Sequence, residues 1–274
     1  NAGGGIMTSI NSGSVKNHGM EIALTAKPVK TKKFVWDMML NFSYNRGTLG
    51  DFLDGVSMFY TTDAQFGTVK GASVPNGGDF LALVGTRYAY ETEADAEGNI
   101  VENMNGAYEI DPKTGLYKIY TANSNEQVGN REPRFLGGFN NTFSFYNFTI
   151  NVLFDFRFGG DVYNGTEYVM VANGTSPLTC LNDRKEVTVN GKVNTGTADA
   201  PVWEDFSQTY KAGEMYTIAD KEYSGEAMIQ NYWDNYCSNS YNFITSVNWL
   251  KLRNLSLSYD FTPLIKKQKV IKNL

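Results

Sequence analysis

The sequence predicts an antiparallel all-β chain, part of a transmembrane β-barrel with long extracellular loops. Three observations carry this: two-residue hydrophobic alternation in five segments, an apolar face made of aromatic side chains, and two long acidic stretches between the alternating segments. The composition agrees. Of 274 residues 42% are hydrophobic and 19% charged, below the roughly 25% of a typical soluble domain, and 17 Tyr, 17 Phe and 27 Gly against 7 Pro favour strands joined by glycine-containing turns.

The first alternating segment is 17–28, with Met20, Ile22, Leu24 and Ala26 on one face and Gly19, Glu21, Ala23 and Thr25 on the other. A lysine-rich turn from Pro28 to Lys33 leads into the strongest pattern, 33–46, where Phe34, Trp36, Met38, Leu40, Phe42 and Tyr44 hold every even position. In 134–145 the apolar parity is odd (Phe135, Phe139, Phe143, Phe145); in 148–158 it is even (Phe148, Ile150, Val152, Phe154, Phe156, Phe158). A two-residue turn at Tyr146-Asn147 pairs 145 with 148, 143 with 150 and 139 with 154, and the parity switch keeps one face continuous. The last segment, 249–261, sets Leu255, Leu257, Tyr259 and Phe261 against Asn254, Ser256, Ser258 and Asp260, and a second lysine-rich turn follows at Lys266, Lys267 and Lys269.

These segments exceed the five or six residues of a usual strand and are long enough to cross a bilayer at a tilt, which takes roughly 9–11. Their rings lie near the strand ends (Phe34 and Tyr44, Phe135 and Phe145, Phe148 and Phe158), as in the aromatic girdles of outer-membrane barrels, and the opposite face is mostly Asn, Ser, Thr and Gly, which suits a hydrated lumen. A water-soluble sandwich would instead carry Val, Ile and Leu inward and charges outward. The stretches 47–130 and 159–248 read as irregular loops facing outward. Within them 51–130 holds 12 acids against 4 bases and 159–248 holds 12 against 5, in a chain of net charge −5. That balance excludes a nucleic-acid partner, which needs a basic face.

Candidate sites are few. His18 stands alone and reads as a polar turn residue where a strand begins; with one histidine and no carboxylate pair standing out, the sequence predicts no enzyme and no catalytic residues. Glu91, Glu93, Asp95 and Glu97, with Gly98 and Asn99, lack the spacing of a calcium loop and read as a solvated acidic turn, so no metal and no cofactor is expected. Cys180 and Cys237 are either free or one optional bridge. Asn-x-Ser/Thr triplets at Asn41, Asn140, Asn147, Asn164 and Asn173 read as chance matches. Trp203, Tyr232, Trp233 and Tyr236 place flat rings in the second outward loop, where they can stack on a sugar, pack against a partner lid or form the loop's own small core.

Four stretches resemble the barrel of SusC/RagA-type TonB-linked outer-membrane proteins of Bacteroidetes. They are the run from Gly13-Ser14-Val15-Lys16-Asn17-His18-Gly19 to Ile22; Gly98 to Gly115 with Ile110-Asp111-Pro112; the pair Gly129-Asn130 to Asn147-Phe148 and Gly159-Gly160-Asp161-Val162-Tyr163-Asn164; and Trp249-Leu250-Lys251-Leu252-Arg253 to Tyr259-Asp260-Phe261. The resemblance implies that the chain is the C-terminal part of the barrel, about half of its roughly 22 strands, with the plug domain outside residues 1–274. It further implies active uptake of oligosaccharides or oligopeptides across the outer membrane of a Gram-negative bacterium, driven by TonB, with a SusD-like lipoprotein as lid. A non-transporting surface adhesin or structural β-protein is the alternative.

Overall fold

The computed structural model describes residues 13–50, 52, 55–120 and 126–265, so the second lysine-rich turn at Lys266, Lys267 and Lys269 lies outside the described residues. Among these no helix is long and apolar enough to cross a membrane. The chain opens with β1 (Val15–Lys30) and β2 (Phe34–Leu49). The first outward stretch then carries β3 (Phe59–Phe66), β4 (Val69–Ser73), β5 (Gly78–Asp79), β6 (Ala82–Gly85), β7 (Thr92–Ala94), β8 (Ile100–Glu102), β9 (Ile110–Asp111), β10 (Leu116–Tyr117) and β11 (Glu126–Asn130). A hairpin follows, β12 (Phe135–Phe145) and β13 (Phe148–Phe158).

The second outward stretch holds β14 (Asp161–Tyr163), α1 (Gly165–Ala172), a 3₁₀ segment kinked at Leu181 (Pro177–Arg184), β15 (Glu186–Asn194), β16 (Trp203–Lys211), β17 (Met215–Ile218), β18 (Lys221–Ser224), α2 (Gly225–Ser238) and β19 (Ile244–Ser246). The chain returns through β20 (Trp249–Tyr259) to a one-turn helix, α3 (Thr262–Ile265).

The long strands form one antiparallel sheet in the order β1-β2-β12-β13-β20, with β5 joined to the end of β2. The three pairings expected across the 146–147 turn are all present: Phe145 with Phe148, Phe143 with Ile150, Phe139 with Phe154. Registers carry the apolar parity across every strand, so Leu24, Leu40, Phe139 and Phe154 share a row, as do Ile22, Phe42, Gly137 and Phe156. The opposite face repeats Asn, Ser and Thr; Asn151 Nδ2 donates to Asn140 Oδ1 at 2.8 Å and to Thr142 Oγ1 at 2.9 Å, and Asn254 Nδ2 to Asn151 Oδ1 at 2.9 Å.

Two β-bulges keep the faces continuous where the sequence does not. Leu153 pairs with Asn254 but Phe154 with Leu252, so Arg253 is the extra residue; Leu250 and Leu252 thereby join the apolar face that Leu255 and Leu257 occupy with the other parity. Ala26 pairs with Met38 and Val29 with Trp36, and the residues between are Lys27 and Pro28, a proline where no ladder donor is needed. The strand therefore runs on to Lys30 rather than turning at Pro28.

Among the described residues the large sheet has five long strands, and the stretches between them take up most of the chain. Those stretches are also folded, contrary to the irregular loops expected. Strands β11-β6-β4-β3 make a small sheet over Ala72, Ala82 and Val84, all fully buried. Ile110 and Leu116 of the first stretch join Val187, Val189, Tyr210, Met228 and Ile229 of the second in one buried cluster.

Candidate functional site

The outward stretches leave the wall through a polar collar built from the glycine-rich motif. Glu132, 7% exposed, accepts the Gly47 amide on both oxygens (3.0 and 2.9 Å) and Asn45 Nδ2 at 3.1 Å. Asp161 accepts the Asn130 amide at 2.9 Å, and Asn248 Oδ1 accepts the Gly159 amide at 2.9 Å. Gly159 and Gly160 both hold positive φ, 75° and 79°, where side chains are disfavoured. The motif fixes where the loops depart; it holds no chemistry of its own.

Above this collar the two stretches are bolted together. Lys192 Nζ reaches Glu91 Oε2 at 2.6 Å, and this bond, with the Ala107 amide, holds the Glu91 carboxyl below its usual range. Trp203 Nε1 donates to the Thr92 carbonyl at 2.9 Å, and Asn235 Nδ2 to the Tyr117 carbonyl at 2.8 Å.

Helix α2 begins at Ser224, whose hydroxyl accepts the Ala227 amide at 3.2 Å, with Glu226 in the first turn. Its buried Met228 and Ile229 face the shared core, and the same stripe continues at helical spacing through Tyr232, Trp233 and Tyr236. Three of the four aromatic residues singled out in the sequence thus come together: ring centroids are 5.0 Å apart for Tyr232–Trp233 and 5.6 Å for Trp233–Tyr236. Trp203 sits apart from this group, spent on joining the loops. Burial pushes the Tyr232 phenol up to about 12 and raises Tyr236 as well, so both offer ring faces and neutral hydroxyls.

Two cavities flank Trp233, of about 150 and 300 Å³, and share Thr179, Arg184 and Ile229 in their walls. Asn182, Asp183 and Arg184 hold φ of 50°, 53° and 62°, three successive left-handed residues, and Arg184, which lines both cavities, donates Nη2 to Cys180 Sγ at 3.1 Å. Sequence reading missed these wall residues: Asn182-Asp183 is the pair most tolerant of left-handed backbone after glycine, but the same pair is common in ordinary turns and does not single out a groove. The groove can stack a flat or apolar ligand face on Trp233 and hydrogen-bond it through Arg184. It offers no nucleophile paired with a base.

The remaining candidates are structural. His18 lies within β1 opposite Arg46, not in a turn. Asp95 accepts the Glu97 and Asn99 amides at 3.0 and 2.7 Å and shapes the β7–β8 hairpin, while Glu93 accepts Asn103 Nδ2 at 3.0 Å. Among the described residues no cluster of His, Cys, Asp and Glu is arranged to hold a metal. Asn164 caps α1 by accepting the Glu167 amide at 3.1 Å, and Asn173 closes its other end. Cys180 and Cys237 are both free.

No protein-family model matches the chain. TonB-dependent receptor P39 of Formosa agariphila is 25% identical over 92% of this chain and 25% of its own length. TonB-dependent receptor SusC of Bacteroides thetaiotaomicron is 30% identical over a shorter part, 34% of this chain. The RagAB peptide importer in its closed-closed state superposes on 96% of the chain with a TM-score of 0.53 at 17% identity. The chain is thus similar in sequence to TonB-dependent receptors and in fold to the RagAB structure. A second RagAB peptide transporter structure agrees, with a TM-score of 0.52 over 96% of the chain. The chain spans about a quarter of the length of receptor P39 and of the importer chain.

Proposed function

We propose that the chain is wall and outward loops of an outer-membrane importer of oligomeric nutrients, glycans or peptides, in a Gram-negative bacterium. The observation that carries the reading is the uncovered apolar face. Leu250, Leu252, Leu255 and Leu257 of β20 are 55–69% exposed; Phe145 and Phe148 of the hairpin, and Met20, Ile22 and Leu24 of β1 at the other edge of the sheet, are each about half exposed. An apolar surface of that extent needs lipid or a partner to cover it, and its aromatic margins suit a bilayer interface.

In this reading the outer strands β1 and β20 pair with further wall strands of the parent, since open edges in lipid leave backbone groups unsatisfied at several kcal/mol each. The polar face lines the lumen. The Tyr232–Trp233–Tyr236 groove contributes to capturing the ligand or to docking a SusD-like lipoprotein lid, and Trp203 supports it by holding the loops together. TonB acts through a plug encoded elsewhere in the parent. The work is transport without covalent chemistry.

The test uses the full-length parent in its own cells. Labelled ligand should accumulate only when TonB is present, and Trp233→Ala should reduce accumulation or co-purification of the lid at least several-fold while the protein still reaches the outer membrane. Outer-membrane protein with no TonB-dependent accumulation of any oligomeric ligand favours the adhesin or structural alternative.

A further inference from the structure

A separate cleft of about 430 Å³ lies between the β15–β16 hairpin and the β17–β18 hairpin, within the size range of small-ligand sites. One wall is the inward face of β16, Glu204, Phe206 and Gln208; Tyr216 and Ile218 form the other. Its floor is Tyr210, ring to ring with Tyr216 at 5.0 Å.

The hydrogen-bonding groups of this cleft are unbalanced. Its donors are largely engaged within the protein: Tyr210 Oη donates to the Gly115 carbonyl at 2.9 Å, Tyr216 Oη to Glu214 Oε2 at 2.8 Å, and Gln208 Nε2 to the Thr209 carbonyl at 2.9 Å. Thr195 Oγ1 is shared between the Val202 carbonyl and Glu204, each at 3.3 Å. What the cleft presents is acceptors: the Glu204 carboxylate, the Gln208 amide oxygen and the π faces of Phe206 and Tyr216. Thr217 adds a hydroxyl that can act either way.

Among the described residues no Lys or Arg is within ion-pair distance of Glu204. The nearby Lys192 is bound to Glu91 instead. The stretches that build the cleft are themselves strongly acidic. A sugar hydroxyl asks for donors and acceptors together, whereas a site of acceptors and aromatic faces matches a group that only donates and carries positive charge.

We propose that the cleft between β16 and β17 takes a basic side chain, a lysine ammonium or arginine guanidinium, presented by a peptide ligand. The proposal rests on the importer reading for its use in uptake, but the preference itself is a binding property. It is measured on the detergent-purified full-length parent with two dye-labelled pentapeptides, Gly-Ala-Lys-Ala-Gly and the same peptide carrying ε-acetyl-lysine, and with a neutral glucan pentasaccharide as competitor. The lysine peptide should bind at least tenfold tighter than the acetylated one at low salt, and the gap should narrow at 0.5 M NaCl, on the order of a 4 Å Debye length. Glu204→Gln, a near-isosteric change, should remove the gap; Phe206→Leu should weaken both peptides and leave part of it.

Equal affinity for the two peptides, no binding of either, displacement by the glucan at comparable concentration, or a gap that survives Glu204→Gln each overturns the proposal. The importer reading fails separately. If the lysine preference is present but cells accumulate nothing, the cleft stands without transport; if TonB-driven uptake of every ligand ignores Glu204→Gln, transport stands without the cleft.

Discussion

Trp36 Nε1 donates to Asn141 Oδ1 at 3.0 Å, pairing two polar atoms on the face of the sheet that is otherwise apolar. Asn141 occupies the row of Met38 and Val152 and is only 6% exposed. In lipid an unpaired amide or indole N–H is costly, so each partner makes the other tolerable. Trp36→Phe strands the amide and should lower the stability of the reconstituted parent by about 1–2 kcal/mol, as should Asn141→Val through the stranded indole. The double variant should recover much of the loss. Urea unfolding in liposomes reads the cycle, and simple addition of the two losses refutes the pairing.

Neighbouring glycines of β12 should respond oppositely to alanine. A Cβ at Gly137 collides with the Phe156 ring and meets the Asn41 carbonyl at 2.5 Å, whereas one at Gly138 meets nothing closer than 3.5 Å. Gly137→Ala should cost about 1–3 kcal/mol by overpacking, seen as a lower heat-modifiable melting temperature. Gly138→Ala should fold like the parent, and equal behaviour of the two variants counts against the register described.

Glu132 binds the point where β2 leaves the wall. Glu132→Ala leaves the Gly47 amide without its acceptor and should cost about 1–3 kcal/mol. Hydrogen exchange at Gly47 should accelerate while amides in the middle of β2, such as Leu40, stay protected. Uniform acceleration along β2 points to global loosening instead.

Burial pushes the Cys237 thiol up to about 11 from a usual value near 9. The thiolate is the reactive form, so maleimide should label exposed Cys180 readily at pH 8 and label Cys237 slowly, with the Cys237 rate climbing as pH approaches 11. Because the folded thiol holds its proton more tightly than the unfolded one, folding weakens as pH rises from about 9 to about 11 and is unaffected below that window. Equal labelling of both cysteines at pH 8 contradicts the burial of Cys237.

The wall strands were legible because one rule, alternation, governs each of their residues. Where a bulge intervenes the rule breaks: Leu250 and Leu252 share a face with Leu255 and Leu257 only because Arg253 adds a residue. The interior of the outward stretches was not legible at all. Strands such as Ile110–Asp111 and Leu116–Tyr117 are too short to show a period, and their packing against Val187 and Met228 lies far along the chain. Tyr232, Trp233 and Tyr236 stood out as a cluster; that Trp203 bonds to Thr92 instead of joining them depends on a contact 111 positions away.

The joint core of the outward stretches has a consequence for how such proteins diversify. Ile110 and Leu116 of one stretch share a single buried cluster with Val187, Tyr210 and Met228 of the other. A recombination event that imports one stretch without its counterpart leaves half an interior bare to water. Variation in what these proteins recognise should therefore be inherited as a matched cassette, with both stretches travelling together on a wall that stays the same.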